Sequence, residues 1–462
     1  MSMPVTDISK HLAGIVGPSF VIGDPAGLAA YKIEGKVPGV AARPATSEEV
    51  AELVKFAAAE KLAIMPMGAR TKLGMIPSLN RYDLAIDMTR LDRVVAYDPD
   101  DLTLGVEPGV PLSRIAGVLA GHKQFLPLAV PFLNRATVGG TIASGVDSPL
   151  RQFFGTARDY VLGMEFVTGD GTLAKSGGRV VKNVSGYDLH KLMIGSMGSL
   201  GVITQINFRT FPSLAATCVF IAAVDSAARA IELRHRVAQS PLRPLTMDIL
   251  SPRAAELLSS SVAARTEPSP IPANVFAPSH WSFVVSYAGT ENVLARYERD
   301  LREMAHGANV ALCEDSVASA ALGRVREFIP IALESSAATA IIKISVLPSR
   351  VRELLDDASR IAEKMDVPWA AVARGVGVIY YALLPGDRSE ETRQRVQRTV
   401  AQLIEACDRL SGNAAILACP AEWKGSLPAP AAQRGDFEQM QKVKKVFDPG
   451  GNLAPALVSK RT

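Results

Sequence analysis

Apolar residues recur along this chain with two different periods. After Thr46-Ser47-Glu48-Glu49, apolar side chains fall at Val50, Leu53, Val54, Ala57 and Ala58. Spacing of i, i+3, i+4, i+7 and i+8 predicts an amphipathic helix. Thr46 and Glu49 have the separation of a capping box at its start. Residues 62–65 then form a short apolar run, read as a buried strand that feeds a tight turn over 66–74. Two apolar runs, 94–97 and 102–106, flank Asp98-Pro99-Asp100-Asp101 and predict a hairpin. A second hairpin is expected over 161–167 and 172–174, around Thr168-Gly169-Asp170-Gly171, and a further strand over 202–208.

From about residue 215 glycine thins out and the rhythm changes. Strands are expected at 218–224, 281–287, 341–347, 376–383 and 414–418. Long helices are expected over 292–304, 350–365 and 390–410. Strand–helix–strand units of this kind predict an α+β fold. Residues 263–280 hold four prolines and read as a loop. No short-period repeat is visible.

Composition narrows the picture. A chain of 462 residues accommodates two or three domains. Hydrophobic residues make 48% and charged residues 21%, a globular balance. The net charge of +4 is too weak over this length to argue for nucleic acid or an anionic membrane surface. Cys218, Cys313, Cys407 and Cys419 are scattered, with no CxxC pair, so a metal or iron–sulfur site held by this chain alone is not expected. They do not form a disulfide framework either, which fits a reducing compartment and a cytoplasmic location. No secretory signal and no membrane-spanning apolar run is visible, so membrane attachment is expected only peripherally, through partners.

Three glycine-bearing segments are candidates for chemistry. In the first, Pro66, Met67, Gly68, Ala69, Arg70, Thr71, Lys72 and Leu73 lead into Gly74. Consecutive turn amides make a concave nest that suits a diphosphate, and Arg70 and Lys72 add charge. A plain surface loop is the alternative. The second runs from Thr137 through Gly139, Gly140, Ala143 and Ser144 to Gly145, followed by Gly155 to Asp159 with Arg158. Paired glycines permit close approach of backbone to a ligand, and Gly140 is expected at positive φ; a glycine-packed helix start is the alternative. The third is Val181-Lys182-Asn183-Val184-Ser185-Gly186-Tyr187-Asp188, leading to Gly201, Val202 and Ile203. None of them is the GxGxxG turn of a nicotinamide site or the GxxxxGK[ST] phosphate loop.

The order and spacing of these segments over about residues 38–213 resembles the FAD-binding fold of the vanillyl-alcohol oxidase / p-cresol methylhydroxylase (PCMH) type. The 181–188 stretch, with Cys419-Pro420, Arg434-Gly435-Asp436, Met440, Lys444 and Phe447-Asp448-Pro449, is similar to the family of FAD-binding subunits of glycolate oxidase. That resemblance implies an α+β protein: a PCMH-type FAD-binding domain of two α/β subdomains plus an antiparallel-sheet cap. The implied divisions are an N-terminal segment 1–34 packing on the FAD domain, the FAD domain 35–214, the cap 215–430, and a C-terminal helix and tail 431–462 returning to the FAD domain. It also implies FAD held by the loop amides, by the 137–145 segment and by the backbone of 201–203. The substrate would be a small 2-hydroxy acid, with glycolate oxidised to glyoxylate, and the partners a second flavoprotein and an iron–sulfur subunit. A stand-alone FAD-linked oxidase or a non-catalytic flavoprotein subunit are the alternatives.

Two departures matter. The late strand on which related dehydrogenases carry histidines reads Ala373-Arg374-Gly375-Val376-Gly377-Val378 here, and near the end Ala454-Pro455-Ala456 replaces the relatives' Asn-Pro-Gly. His11, His122, His190, His235, His280 and His306 sit in no recognisable site motif. A catalytic base is therefore not identified. Arg374 is the one substrate-side candidate, able to grip a carboxylate bidentately, with a strand-end salt bridge as the alternative. The pyrophosphate loop offers neither His nor Cys, so FAD is expected to be bound non-covalently.

Overall fold

The computed structural model describes residues 4–76, 79–179, 186–260, 271–272, 275–428 and 436–455. The 181–185 part of the third segment, Arg434-Gly435, Ala456 and most of the 263–280 loop lie outside the described residues.

The N-terminal lobe is built on two sheets. In the first, Val40–Ala42, Leu84–Asp87 and Ile64–Met67 run parallel, and Val21–Ile22 adds an antiparallel edge. Its parallel strands are almost continuously apolar because both faces are covered. The helix Ser47–Ala59 supplies the crossover and buries Val50, Leu53, Val54 and Ala57. Thr46 Oγ1 accepts the Glu49 amide at 3.1 Å, while Glu49 reaches one residue further back than a capping box requires, to the Ala45 amide at 2.7 Å. The helix Val5–Val16 lays Ile8, Leu12 and Val16 on the same core. The strand expected at 62–65 lies at Ile64–Met67, because pairing with Leu84–Asp87 continues to Met67 opposite Asp87. Residues 452–454 lie against its free side: the Ile64 amide donates to the Asn452 carbonyl at 2.8 Å, and the Ala454 amide to the Ile64 carbonyl at 2.9 Å.

The second sheet has five antiparallel strands, in the order Val94–Asp98, Thr103–Val106, Val202–Arg209, Val161–Val167, Leu173–Gly177. Both expected hairpins are present. Asp170 closes the second, its carboxylate accepting from Thr168 Oγ1 at 2.6 Å and the Thr172 amide at 3.1 Å, with Gly171 at φ 85°.

The cap carries one eight-stranded antiparallel sheet in the order Asn309–Glu314, Thr217–Val224, Trp281–Ala288, Thr246–Leu250, Trp369–Arg374, Val378–Leu383, Ala340–Ser345, Asn413–Ala418. Each half repeats one topology: strand, helix, two strands, helix, strand, with the fourth strand beside the first. The halves meet at their second strands, where Asp248 stands opposite Arg374. The single strand expected over 376–383 is instead one arm of a hairpin, turned at Gly375-Val376-Gly377 with Gly377 at φ 87°. The long helices Ala227–Gln239, Glu291–Met304, Val351–Lys364 and Glu390–Arg409 cover one face. The other face holds Pro252–Ser260, Asp315–Arg326 and Phe328–Ser335, and turns its remaining area toward the N-terminal lobe. Among the described residues no helix is long and apolar enough to cross a membrane.

Candidate functional site

A cleft opens where the first sheet meets the second. It encloses about 710 Å³ of space not filled by atoms, part of it open to solvent. Its floor is the chain leaving Ile64–Met67. Arg70 turns this loop at φ 62° and is drawn to one side: it lies 3.9 Å from Asp87 and over the Tyr31 ring. Asp87 also accepts from Tyr31 Oη at 2.9 Å, and burial, followed by this carboxylate, pushes the Tyr31 phenol up to about 12. Arg70 is thus already compensated by the protein.

The helix Val138–Ser144 forms the opposite wall. Its start is anchored by the Val138 amide on the Val110 carbonyl at 2.9 Å and the Gly139 amide on the Pro108 carbonyl at 2.8 Å. A Cβ on Gly139 would fall 2.4 Å from Pro108 Cβ, so glycine is required there by close packing. Gly140 has an ordinary helical conformation rather than the expected positive φ, and a Cβ there would meet only Thr137 Oγ1, at 3.3 Å. Its lack of a side chain keeps the cleft open. Thr137 Oγ1 itself is buried without a hydrogen-bond partner, and a Cβ on Gly68 would come within 2.1 Å of it. The third wall is Met197 to Ile203, where Gly198 at φ 77° passes so close to Pro66 that a Cβ would lie 2.7 Å from its ring.

The cleft therefore gathers Pro66, Met67, Gly68, Ala69, Arg70, Thr71, Lys72, Leu73, Thr137, Gly139, Gly140, Ala143, Ser144, Gly201, Val202 and Ile203. Gly145 and Arg158 do not line it; they line an adjoining cavity that encloses about 950 Å³ of space not filled by atoms, part of it open to solvent, and shares Ser144 with the cleft. Ile76, Met88 and Pro108 also line the cleft, as do Met197 and Gly198 of the glycine-bearing stretch 195–201 that leads to Gly201.

Charged groups join the cap to this region. Asp147 receives Lys343 of the cap at 2.7 Å and Arg151 at 2.9 Å. Glu327 of the cap accepts the Phe132 amide at 2.7 Å and the Leu133 amide at 3.4 Å. Tyr380, opposite Lys343 in the sheet, buries a hydroxyl that has no hydrogen-bond partner. Arg374 lines neither cavity: it is 6% exposed and donates to Asp248 at 2.9 Å. Among the described residues no histidine lines either cavity. His190 is buried 3.1 Å from Ser176 Oγ, and burial holds its imidazole below the ordinary range.

Comparison with known proteins gives this geometry a family. Residues 38–177 match the FAD binding domain, and residues 214–414 match the C-terminal domain of FAD linked oxidases. The chain carries both an FAD binding domain and the C-terminal domain of FAD linked oxidases. It is an FAD-dependent oxidoreductase. The glycolate oxidase subunit GlcD of Bacillus subtilis is 22% identical over 98% of this chain and 97% of its own length. The glycolate oxidase subunit GlcE of Escherichia coli is 36% identical over 36% of this chain and 47% of its own length. Among solved structures, p-cresol methylhydroxylase with substrate bound superposes with a TM-score of 0.78 at 16% identity, covering 98% of this chain and 96% of its own, so the fold is shared.

FAD fits the cleft on its own geometry. Gly140 leaves room on the cleft wall that a side chain would fill. Thr137 Oγ1 is an orphaned polar atom on the wall. The loop amides and a buried lysine, Lys72, supply donors suited to a dianion.

Proposed function

We propose that residues 35–214 hold FAD non-covalently beneath a cap formed by 215–430, with the 1–34 and 431–462 segments packed on the cofactor lobe. The chain would serve as one subunit of a glycolate-oxidase-like assembly that oxidises a 2-hydroxy acid such as glycolate to glyoxylate. The observation that carries this reading is the convergence of the 66–73 loop, the 137–144 helix and the 198–203 segment on one cleft. When bound there, FAD supplies a two-electron acceptor for the hydrogen on the hydroxyl-bearing carbon. The loop amides and Lys72 hold the diphosphate, and Thr137 and Gly140 shape the wall beside the ring. The adjoining cavity, with Arg151 and Arg158 on its walls, takes the small carboxylate. Asp147 keeps Arg151 oriented and, through Lys343, ties that cavity to the cap.

A base for the substrate hydroxyl is the part this chain does not present in the usual form, since its cavities carry no histidine. General-base catalysis contributes roughly 10²–10⁴-fold in rate. We therefore propose that the isolated chain is a poor dehydrogenase and works with a partner flavoprotein and an iron–sulfur subunit. It would then sit in the cytoplasm, or on the inner face of the membrane by way of those partners. The relatives named as glycolate oxidase subunits support this reading. The test is anaerobic mixing of the FAD-loaded chain with glycolate or D-lactate while following flavin absorbance. Slow bleaching alone and fast bleaching with co-purified partners is the expected result. Fast bleaching by the chain alone overturns the subunit reading.

A further inference from the structure

Lysines drawn out of solvent in this protein come with carboxylates. Buried Lys424 pairs with Glu34, and the part-buried Lys444 and Lys343 pair with Asp448 and Asp147. Lys72 breaks the pattern. It is only 7% exposed, on the wall of the cofactor cleft, and no carboxylate of the described residues lies within ion-pair distance. Its ammonium has a hydrogen bond to Thr71 Oγ1 at 3.3 Å and lies 5.9 Å from the centre of the Phe132 ring. Neither contact compensates a full charge taken out of water.

The charged groups around it are all engaged elsewhere. Arg70 on the same loop faces Asp87 of the neighbouring strand. Glu327, reaching in from the cap, is held by the Phe132 and Leu133 amides and by Arg326. An ammonium so placed requires an anion brought by a ligand. We propose that Lys72 is the counter-ion of the cofactor diphosphate and that dinucleotide binding is coupled to its protonation. This rests on the reading of the cleft as the FAD site.

The direction of the coupling follows from burial. Desolvation pushes the Lys72 ammonium down to about 8, against the field of Glu327, which raises it. A diphosphate beside it favours the charged form and raises it again. Below pH about 8 the lysine is charged before and after binding, so affinity is flat. Above it, binding takes up a proton, and affinity falls up to about tenfold per pH unit until the bound-state value is passed.

The probe is ADP-ribose, a diphosphate diester without a flavin, displacing FAD from the full chain over pH 6–10. Lys72→Met is expected to weaken FAD and ADP-ribose alike, roughly 10- to 100-fold at neutral pH, and to flatten the pH dependence. Lys72→Arg keeps the charge without titrating, so it should bind near wild-type strength at neutral pH and hold that affinity to high pH. Unchanged ADP-ribose affinity in Lys72→Met, with FAD still bound, overturns the proposal. So does a variant that keeps ADP-ribose affinity but loses binding of glycolate, which would make the lysine a substrate group. If the wild-type chain binds no FAD at all, the cleft reading itself fails, and the proposal with it.

Discussion

Arg374→Met isolates what the central ion pair of the cap does. The substitution keeps an unbranched apolar stem and removes the guanidinium that lies 2.9 Å from Asp248. Asp248 is 1% exposed and its second oxygen already has no hydrogen-bond partner. Burial holds its carboxyl above the ordinary range even with Arg374 beside it. Removing one member of such a pair costs about 3–5 kcal/mol, because a buried charge is left uncompensated. For a cap of about this size that is a fall of roughly 6–20 °C in melting temperature. The pH dependence has a definite sign. A carboxyl raised on folding favours the folded state below its unfolded value, and that advantage is lost as pH rises through the folded value. The deficit of Arg374→Met should therefore be smaller at pH 5 than at pH 8. Asp248→Leu/Arg374→Met removes both charges and should regain most of the loss. Circular dichroism and flavin-release melts on the wild-type chain, the single variant and the double variant decide it. A normal melting temperature in Arg374→Met, or a double variant no better than the single, refutes the reasoning. A normal melt with a flavin no longer reducible by the complex would return Arg374 to the substrate side.

Acid precipitation should release all yellow colour to the supernatant; colour in the pellet would mean a covalent flavin. Gly140→Val should give a folded chain with weak FAD binding, measured by flavin fluorescence, because the new side chain enters the cleft. Gly139→Ala should instead destabilise the fold by about 1–3 kcal/mol, seen as a lower melting temperature, through overlap with Pro108. Lys343→Met leaves Asp147 with Arg151 alone and should cost about 1–3 kcal/mol, with faster flavin loss on dilution as the readout.

What the sequence made legible was local. The Thr46 cap and the two hairpins each carry their cause within a few residues, and each lies where the spacing put it, while the 66–73 and 137–144 segments meet at one cleft. The short strands Val40–Ala42 and Thr246–Leu250 have no period long enough to register, since burial on both faces erases alternation. The doubled cap topology was equally silent, because the halves repeat a strand order rather than residues. Charges that meet across the lobes have no local signature at all: Asp147 and Lys343, or Phe132 and Glu327, are nearly 200 positions apart. Gly140 shows the limit of a motif. The pair of glycines was visible, but only packing reveals that one avoids Pro108 and the other keeps a wall clear.

Lys424 donates to the carbonyls of Gly74 at 2.7 Å and Ile76 at 2.6 Å, at the end of the cofactor loop, and residues 452–454 line the strand from which that loop springs. A ribosome therefore emits the 66–74 loop some 350 residues before the lysine that braces its end. During synthesis the loop therefore waits for Lys424 and residues 452–454 before all the contacts that shape it are present.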